Sequence, residues 1–467
     1  SGTSLKQTII TYADAEKTRI IDTKVVENDP STISPQGNVG TTTITRYTSA
    51  SIGGNGSGAI DLTAASPIDV QVINTSSFDI RGNALSQEII KKWYDGGALK
   101  FSEAQVITND PYDFYGRASK TSILNYKDEA FDDLSQLQVI TYGTYDKFGN
   151  SESQVIDSYS SATADEAKLI DHKVITNTYT DDVARRRGNA GITTVDRYAS
   201  LEEATANLIE RTITTTDLFD DRGNAVKQTS KTFVLDSANT LKLQKETTIE
   251  NIEIDNHGDA GIQHITTRQT TSPTDNTLIT VNYQVITNRS FDPSRNVENQ
   301  MVYTYASEGG TLLDVQEIRS EGFHSSGTAL KQTIVTYADA EKTRIIDVKV
   351  VENDAATISA QGHVGKTTIT RYDSEDITVA DNGSGKIGLT AASPIDVQVI
   401  NTSDFDIRGN ALAQEIIKKW YDNGVLKFSE AQVITNDPYD FYDRASKTNI
   451  LNYKDEAFDD LSQLQVI

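Results

Sequence analysis

Five histidines and a few acidic clusters are the residues of this chain whose types and spacing could do chemistry. His172, His257, His264, His324 and His363 could each act as a base or a metal ligand. No Ser/His/Asp arrangement recurs among them. His363 stands where an earlier copy of the same segment has Asn38, and His324 stands where a turn aspartate is expected. A catalytic base does not exchange with an amide in this way, so all five read as structural surface positions. There is no His-Glu-x-x-His pair, and Gly53 to Gly58 lacks the Lys-Ser/Thr of a phosphate loop. No catalytic, cofactor-binding or metal residue is therefore assigned, and the chain is not expected to be an enzyme. Calcium held by turn oxygens is the one chemistry left open. Asp217, Asp220 and Asp221, or Glu129, Asp132 and Asp133, could supply ligands. Neither set fits an EF-hand or the nonapeptide of calcium-binding β-rolls; the alternative is Asx turns on a solvated acidic face. Cysteine is absent, which removes disulfides and thiolate sites. Lys-to-Asn cross-links could substitute in a Cys-free surface fibre, but their buried geometry is not legible in sequence.

The elements that must position these residues come from a repeat inside a repeat. Residues 1–140 recur almost letter for letter at 326–467: Leu5-Lys6-Gln7-Thr8-Ile9 returns as Leu330 to Ile334, and Ser66 to Ile73 returns as Ser393 to Ile400. The offset is 325 at Leu5 and 327 at Ile140, which matches Ile467 in mid-strand. The chain is expected to be a window on a longer tandem array. A turn signature subdivides the long period: Phe78-Asp79-Ile80-Arg81-Gly82-Asn83, Tyr112 to Arg117, Tyr145 to Asn150, Phe219 to Asn224, with looser versions at Ile254 to Asp259, Phe291 to Asn296 and Phe323 to Gly327. Taking the glycine as anchor, the positions are 37, 82, 116, 149, 188, 223, 258, 295, 327, 362, 409 and 443, with Arg at 295 and Asp at 443. Nine units of about 36 residues fill one long period.

Around each anchor the frame is regular. An Ile often precedes it by nine residues (Ile73, Ile107, Ile140, Ile249, Ile286, Ile318), and an aromatic often follows it by ten (Tyr126, Tyr159, Tyr198, Phe233, Tyr305, Tyr337). The Gln-Val-Ile runs are β-branched and partly alternating, which favours strands. Between them, Asp accepts backbone N–H bonds and Gly tolerates positive φ. Each unit is thus a β-hairpin. Acidic connectors such as Ala13 to Lys17, Ala162 to Ala167 and Ser200 to Ala204 join hairpin to hairpin; the last has capping-box spacing and predicts one helical turn. Thr41 to Thr43 and Thr214 to Thr216, with Asn74, Asn109, Asn177 and Asn288, predict hydrogen-bonded ladders between units, and Tyr126, Tyr159 and Tyr198 predict aromatic stacking along the array. The Gly-rich connector at 48–66, copied with Asn382-Gly383-Ser384-Gly385, reads as a decoration rather than a docking loop.

The fold class expected is all-β: a tandem β-hairpin array, either solenoid-like or a spiral antiparallel sheet. The units run 1–18 (partial), 19–66 (with the Gly-rich insertion), 67–101, 102–135, 136–169, 170–206, 207–242, 243–279, 280–313, 314–343 (the second long copy starting at 326), 344–393 (with the second insertion), 394–428 and 429–467 (with a partial next strand). One hairpin cannot bury enough apolar surface to fold alone, whereas stacked neighbours can, and each covers the exposed edge of the last.

The Phe/Tyr-Asp-x-x-Gly-Asn/Arg turn followed by a strand ending in Tyr resembles the YD repeats of RHS-type proteins, best at Tyr145 to Tyr159, Tyr112 to Tyr126 and Phe78 to Tyr94. The resemblance implies long antiparallel hairpin sheets in large secreted or surface proteins, some of them shells around a toxin. Ala84, Ala190 and Ala225 depart from the Leu that the family often has after Gly-Asn. The near-identical long period is also similar to that of giant tandem-repeat bacterial surface or fibre proteins.

Charge narrows the partners. A net charge of −24 opposes binding to phosphate backbones or an anionic membrane surface, and no apolar run is long enough to span a bilayer. The expected function is structural: an extracellular or cell-surface fibre, stalk or filament made by self-association of neighbouring repeats or chains. An adhesin presenting loops to carbohydrate or another cell is the alternative, and an RHS-like shell around a toxin cargo the second alternative.

Overall fold

The computed structural model describes residues 2–12, 20–47, 66–95, 97–236, 238–272, 275–292, 294–372, 387, 389, 393–406, 409–437, 439 and 444–467. The chain divides into two compact units: Ser1–Thr178 with Thr194–Asn207 and Asp255–His257, and Tyr179–Thr193 with Leu208–Ile254 and Gly258–Ile467. The fold is all-β and antiparallel, as the alternation of β-branched residues and turn chemistry requires.

The first unit contains β1 (Lys6–Tyr12), β2 (Ile20–Asn28), β3 (Thr41–Tyr47), β4 (Pro67–Phe78), β5 (Ala84–Asp95), β6 (Ala98–Asn109), β7 (Lys120–Tyr126), β8 (Leu134–Tyr142), β9 (Ser153–Tyr159) and β10 (Leu169–Thr178); β11 (Ile192–Tyr198) follows. From β1 to β10 each strand pairs antiparallel with the next. The second unit contains β12 (Leu208–Phe219), β13 (Ala225–Leu235), β14 (Leu241–Ile254), β15 (Ala260–Ser272), β16 (Asp275–Phe291), β17 (Val297–Tyr305), β18 (Leu312–Phe323), β19 (Ala329–Tyr337), β20 (Ile345–Asn353), β21 (Lys366–Tyr372), β22 (Pro394–Phe405), β23 (Ala411–Asp422), β24 (Val425–Asn436), β25 (Thr448–Tyr453) and β26 (Leu461–Val466). Among the described residues these too pair antiparallel with their sequence neighbours.

Burial concentrates in rows that cross the strands. In the first unit Leu137 and Val139 of β8 pack with Tyr159 of β9, flanked by Leu124 and Leu169. In the second, Met301, Val315, Val335, Tyr337 and Val348 form the core, with Ile387 of the long connector packed among them. The row follows from register. Met301 faces Glu317, Glu317 faces Val335 and Val335 faces Val348. Side chains two apart share a face, so one column of the meander becomes one stripe of core.

Three expectations are corrected here. The strand-end tyrosines do not stack on one another. Tyr126 meets Phe131 of its own connector at 5.4 Å, and Tyr198 meets His172 at 5.7 Å. Equivalent residues recur every second strand, about 9.5 Å apart, which exceeds the reach of ring–ring contact. The helical turn expected at Ser200 to Glu203 forms instead at Thr205–Asn207 and is 3-10, because so short a link has no room for i→i+4 bonds. A second such turn, Glu166–Lys168, is capped by Asp165. Conversely, one turn region folds as a short helix: Asp181 caps α1 (Asp182–Arg186) just before the anchor Gly188. The connector Ala13 to Lys17 and the Gly-rich stretches 53–58 and 382–385 lie outside the described residues.

Candidate functional site

The part of the molecule where side chains converge is the edge formed by the turns. It is built in three steps. Inside the turns at Asp79, Asp146 and Asp220, the aspartate accepts from the backbone two and four residues on. Asp79 takes N–H bonds from Arg81 and Asn83, both at 2.8 Å, and the Asn83 amide at 2.7 Å. Asp146 and Asp220 repeat this with Phe148 and Asn150, and with Arg222 and Asn224. The anchor residue completes the turn in the left-handed region, with φ +87° at Gly82, +78° at Gly223 and even +72° at Arg295. These bonds set the electrostatics. Burial alone would raise the Asp79 and Asp220 carboxyls, and the donors from Asn83 and Asn224, then Arg81 and Arg222, outweigh it and hold both below the ordinary aspartate range. At Asp113 the Arg117 guanidinium is the leading cause of the same shift.

Next, one turn is seated on the one before. A Cβ on Gly82 would lie 2.7 Å from the Asn38 Oδ1, and one on Gly258 3.0 Å from the Asn224 Oδ1. The positive φ favours glycine there, and a side chain would also displace the preceding turn's amide. Arginines reach the other way. The Arg81 guanidinium donates to the carbonyls of Tyr112, Asp113 and Phe114, and Arg222 donates to that of Ile254 at 2.8 Å.

Last, an asparagine on the strand entering the turn ties hairpin to hairpin. The Nδ2 groups of Asn109, Asn251, Asn288, Asn353 and Asn436 donate to the carbonyls of Ala84, Ala225, Ala260, Ala329 and Ala411, at 2.8–3.1 Å. Each accepting Ala lies two residues past the preceding anchor. Each Asn Oδ1 in turn accepts from the following strand: Thr121 to Asn109, Gln263 to Asn251 and Gln300 to Asn288. The expected unit-to-unit hydrogen bonding exists, but it joins unlike partners on adjacent strands rather than ladders of like residues.

The histidines separate. His172 is 4% exposed, with Nδ1 2.5 Å from Asp157, and His324 is 8% exposed. Neither is a surface position. The His324 Nδ1 accepts from the Ser326 N–H at 3.2 Å, as the turn aspartate does elsewhere, which is why the exchange is tolerated. His363 lies over Phe405 at 5.2 Å and contacts Gly409 as Asn38 contacts Gly82. His257 donates its N–H to Asp255, and His264 sits against Tyr283.

The acidic sets do not converge. The Asp220 carboxylate is occupied by its own turn, while Asp217 accepts from the Thr229 hydroxyl at 2.8 Å. Glu129 pairs with Lys92, and Asp132 and Asp133 donate their N–H groups to Asp128. Among the described residues no three His, Asp or Glu side chains are placed to hold a metal. What the turn edge offers to solvent instead is apolar: Ile80, Phe114 and Tyr115 stand out, Phe114 87% exposed. Among the described residues no helix is long and apolar enough to cross a membrane.

Sequence reasoning missed the turn arginines and the Asn-to-Ala bond. Both left a signal: Asp-x-Arg-Gly-Asn is spelled out at Asp79 and Asp220, and Ala follows Gly-Asn where the resemblance predicts Leu.

No protein-family model matches the chain, and no curated protein matches it. Among solved structures it is similar to the Tc holotoxin pore of Photorhabdus luminescens carrying a TccC3 mutation. The identity is 11% and the TM-score 0.21, over 98% of this chain. The chain spans 26% of that chain.

Proposed function

We propose that the chain is a structural spacer: a stretch of tandem hairpins, at the cell surface or outside the cell, whose task is length and stiffness through self-association of repeats. The observation that supports this is the consumption of polar groups. At the described turns aspartate is spent on closing its own turn, and asparagine on tying one unit to the next, unit after unit. A reaction needs one site, whereas length needs many equivalent ones, so this reading assigns no catalytic role and no cofactor. Electron microscopy of the intact material tests it. Two strands per unit at about 4.8 Å each, over nine units, predict an axial repeat of about 85 Å per long period when strands lie across the axis. Filaments with that repeat support the spacer; discrete hollow particles would replace it with a shell.

Exposed Ile80, Phe114 and Tyr115 on neighbouring turns favour one second reading, adhesion to carbohydrate. It predicts that a glycan array signal from the intact chain falls on Phe114→Ala with Tyr115→Ala. An unchanged signal, or none at the outset, removes it.

A further inference from the structure

From β14 to β26, every even-numbered strand carries a β-bulge near its connector end, one residue in excess opposite the end of the strand before it. In β16, β18, β20 and β22 the extra residue is Val281, Leu313, Ile346 and Ile395. All four are exposed, by 45–56%. Leu312 and Ile345, just before two of them, pack on the core cluster, so there the bulge sends one apolar residue in and the next one out. The bulge itself does not ask for an apolar residue. Lys427 and Ser462 hold the same place in β24 and β26, and Lys100 and Ser135 hold it in β6 and β8. Exposed aliphatic side chains at this place in four successive return strands make a line that the fold does not need.

Register fixes the spacing of that line. The bulges face the steps Thr267 to Arg268, Thr304 to Tyr305, Thr336 to Tyr337 and Arg371 to Tyr372. Followed through the pairings between them, each lies two strands on and two residues further along than the last. At about 4.8 Å per strand and about 3.4 Å per residue, successive side chains stand about 12 Å apart on a line oblique to the strands. That pitch selects the partner. On an α-helix, residues seven apart lie about 10.5 Å apart, and residues eight apart are turned by about 80°, so a helix leaves the line after a few contacts. A second copy of this chain has the same pitch and stays in step from one contact to the next. Two chains of net charge −24 repel, but the acids beside Ile346 and Ile395 are not free to oppose the approach: Asp347 and Asp396 both pair with Arg371, at 3.0 and 3.4 Å.

We propose that Val281, Leu313, Ile346 and Ile395 form a lateral seam that takes the same seam of a second copy of this chain. The two lines run antiparallel about a two-fold axis, and the side chains of one lie between those of the other. The seam deepens the spacer reading and rests on it for its purpose, adding side-by-side association to length; each contact is weak alone and gains from number. Sedimentation of the full chain tests it. The weight-average mass should rise above that of one chain as concentration rises. Leu313→Ser with Ile346→Ser, which places at two bulges the residue that Ser135 and Ser462 are at theirs, should weaken that association about tenfold or more. A chain that stays monomeric, or a double variant that associates as before, overturns the seam. Cross-linking covers the case in which the double variant misfolds. The chain has no cysteine, so Ile346→Cys can be compared with Phe114→Cys, whose site at the turn edge is 87% exposed. A bifunctional maleimide should join copies about tenfold faster through Ile346→Cys; equal or slower joining overturns the seam. Imaging keeps the two proposals apart. Paired chains without the axial repeat of about 85 Å sink the spacer and leave the seam, and unpaired filaments with that repeat sink the seam and leave the spacer.

Discussion

The turn edge and the connector edge of the same hairpins obey different rules. At the turn edge, Asp79, Asp146 and Asp220 make the same bonds at the same spacing, and anchor after anchor has positive φ. Among the described connectors the links vary: a 3-10 turn at Glu166–Lys168, another at Thr205–Asn207, and turns held by Asp128, Asp236 and Asp339. The difference has a steric origin. Where a turn accepts the preceding one against its own backbone, as Gly223 does against Ala184, its chemistry is fixed from both sides. A connector has only to return the chain to the next strand, and variation there costs little unless, as at Ile387, the connector covers a core.

The comparison can be broken at the turns first. Gly223→Val should have the largest effect, because its Cβ would lie 2.7 Å from the Ala184 Cα at φ +78°, and both obstacles are backbone. A loss of about 3 kcal/mol or more is expected in urea unfolding. Gly149→Ala, with φ +89° but open space around the new Cβ, should lose only about 1 kcal/mol. Equal losses would mean that φ alone makes the glycines necessary. Asn288→Ala comes next. It removes a donor to the Ala260 carbonyl and an acceptor for Gln300, and should cost about 1–3 kcal/mol.

Acid should loosen the turn edge before the strands. Asp79, Asp113 and Asp220 have folded-state values below the ordinary aspartate value of 3.8. A depressed carboxyl contributes stability that is fully present above its unfolded value and is lost as pH falls through the folded one. The urea midpoint should therefore drop as pH falls from about 5 toward 2, and the drop should be shallower in Asp220→Asn, which cannot titrate. An Asp220→Asn chain with an unaltered pH profile would remove the turn from the account. At the connector edge, Glu129→Ala breaks the pair with Lys92 and should change stability by under about 1 kcal/mol. A larger loss there would erase the distinction between the two edges.

Much of this was legible from residue types. Gln-Val-Ile runs mark strands, and Asp-x-x-Gly marks turns that close as hairpins, because these signals are local. The stacking of like rings was not legible as predicted, since a hairpin advances by two strands and its own second strand fills the gap. Nor was buried Glu317: an acid in an alternating strand looks solvated until the cations that face it, from β16 and a later connector, are placed in space. At Asp181 the signal was present but weak, because an aspartate before Ala184 and three arginines caps a helix as readily as it opens a turn.

Every Asn-to-Ala bond described above points backward along the chain: Asn109 to Ala84, Asn251 to Ala225, Asn288 to Ala260. A hairpin emerging from the ribosome therefore leaves its Ala carbonyl waiting for a residue not yet made. Folding of such a chain trails its synthesis by one unit, and a pause in translation holds open a single edge, however long the chain already made.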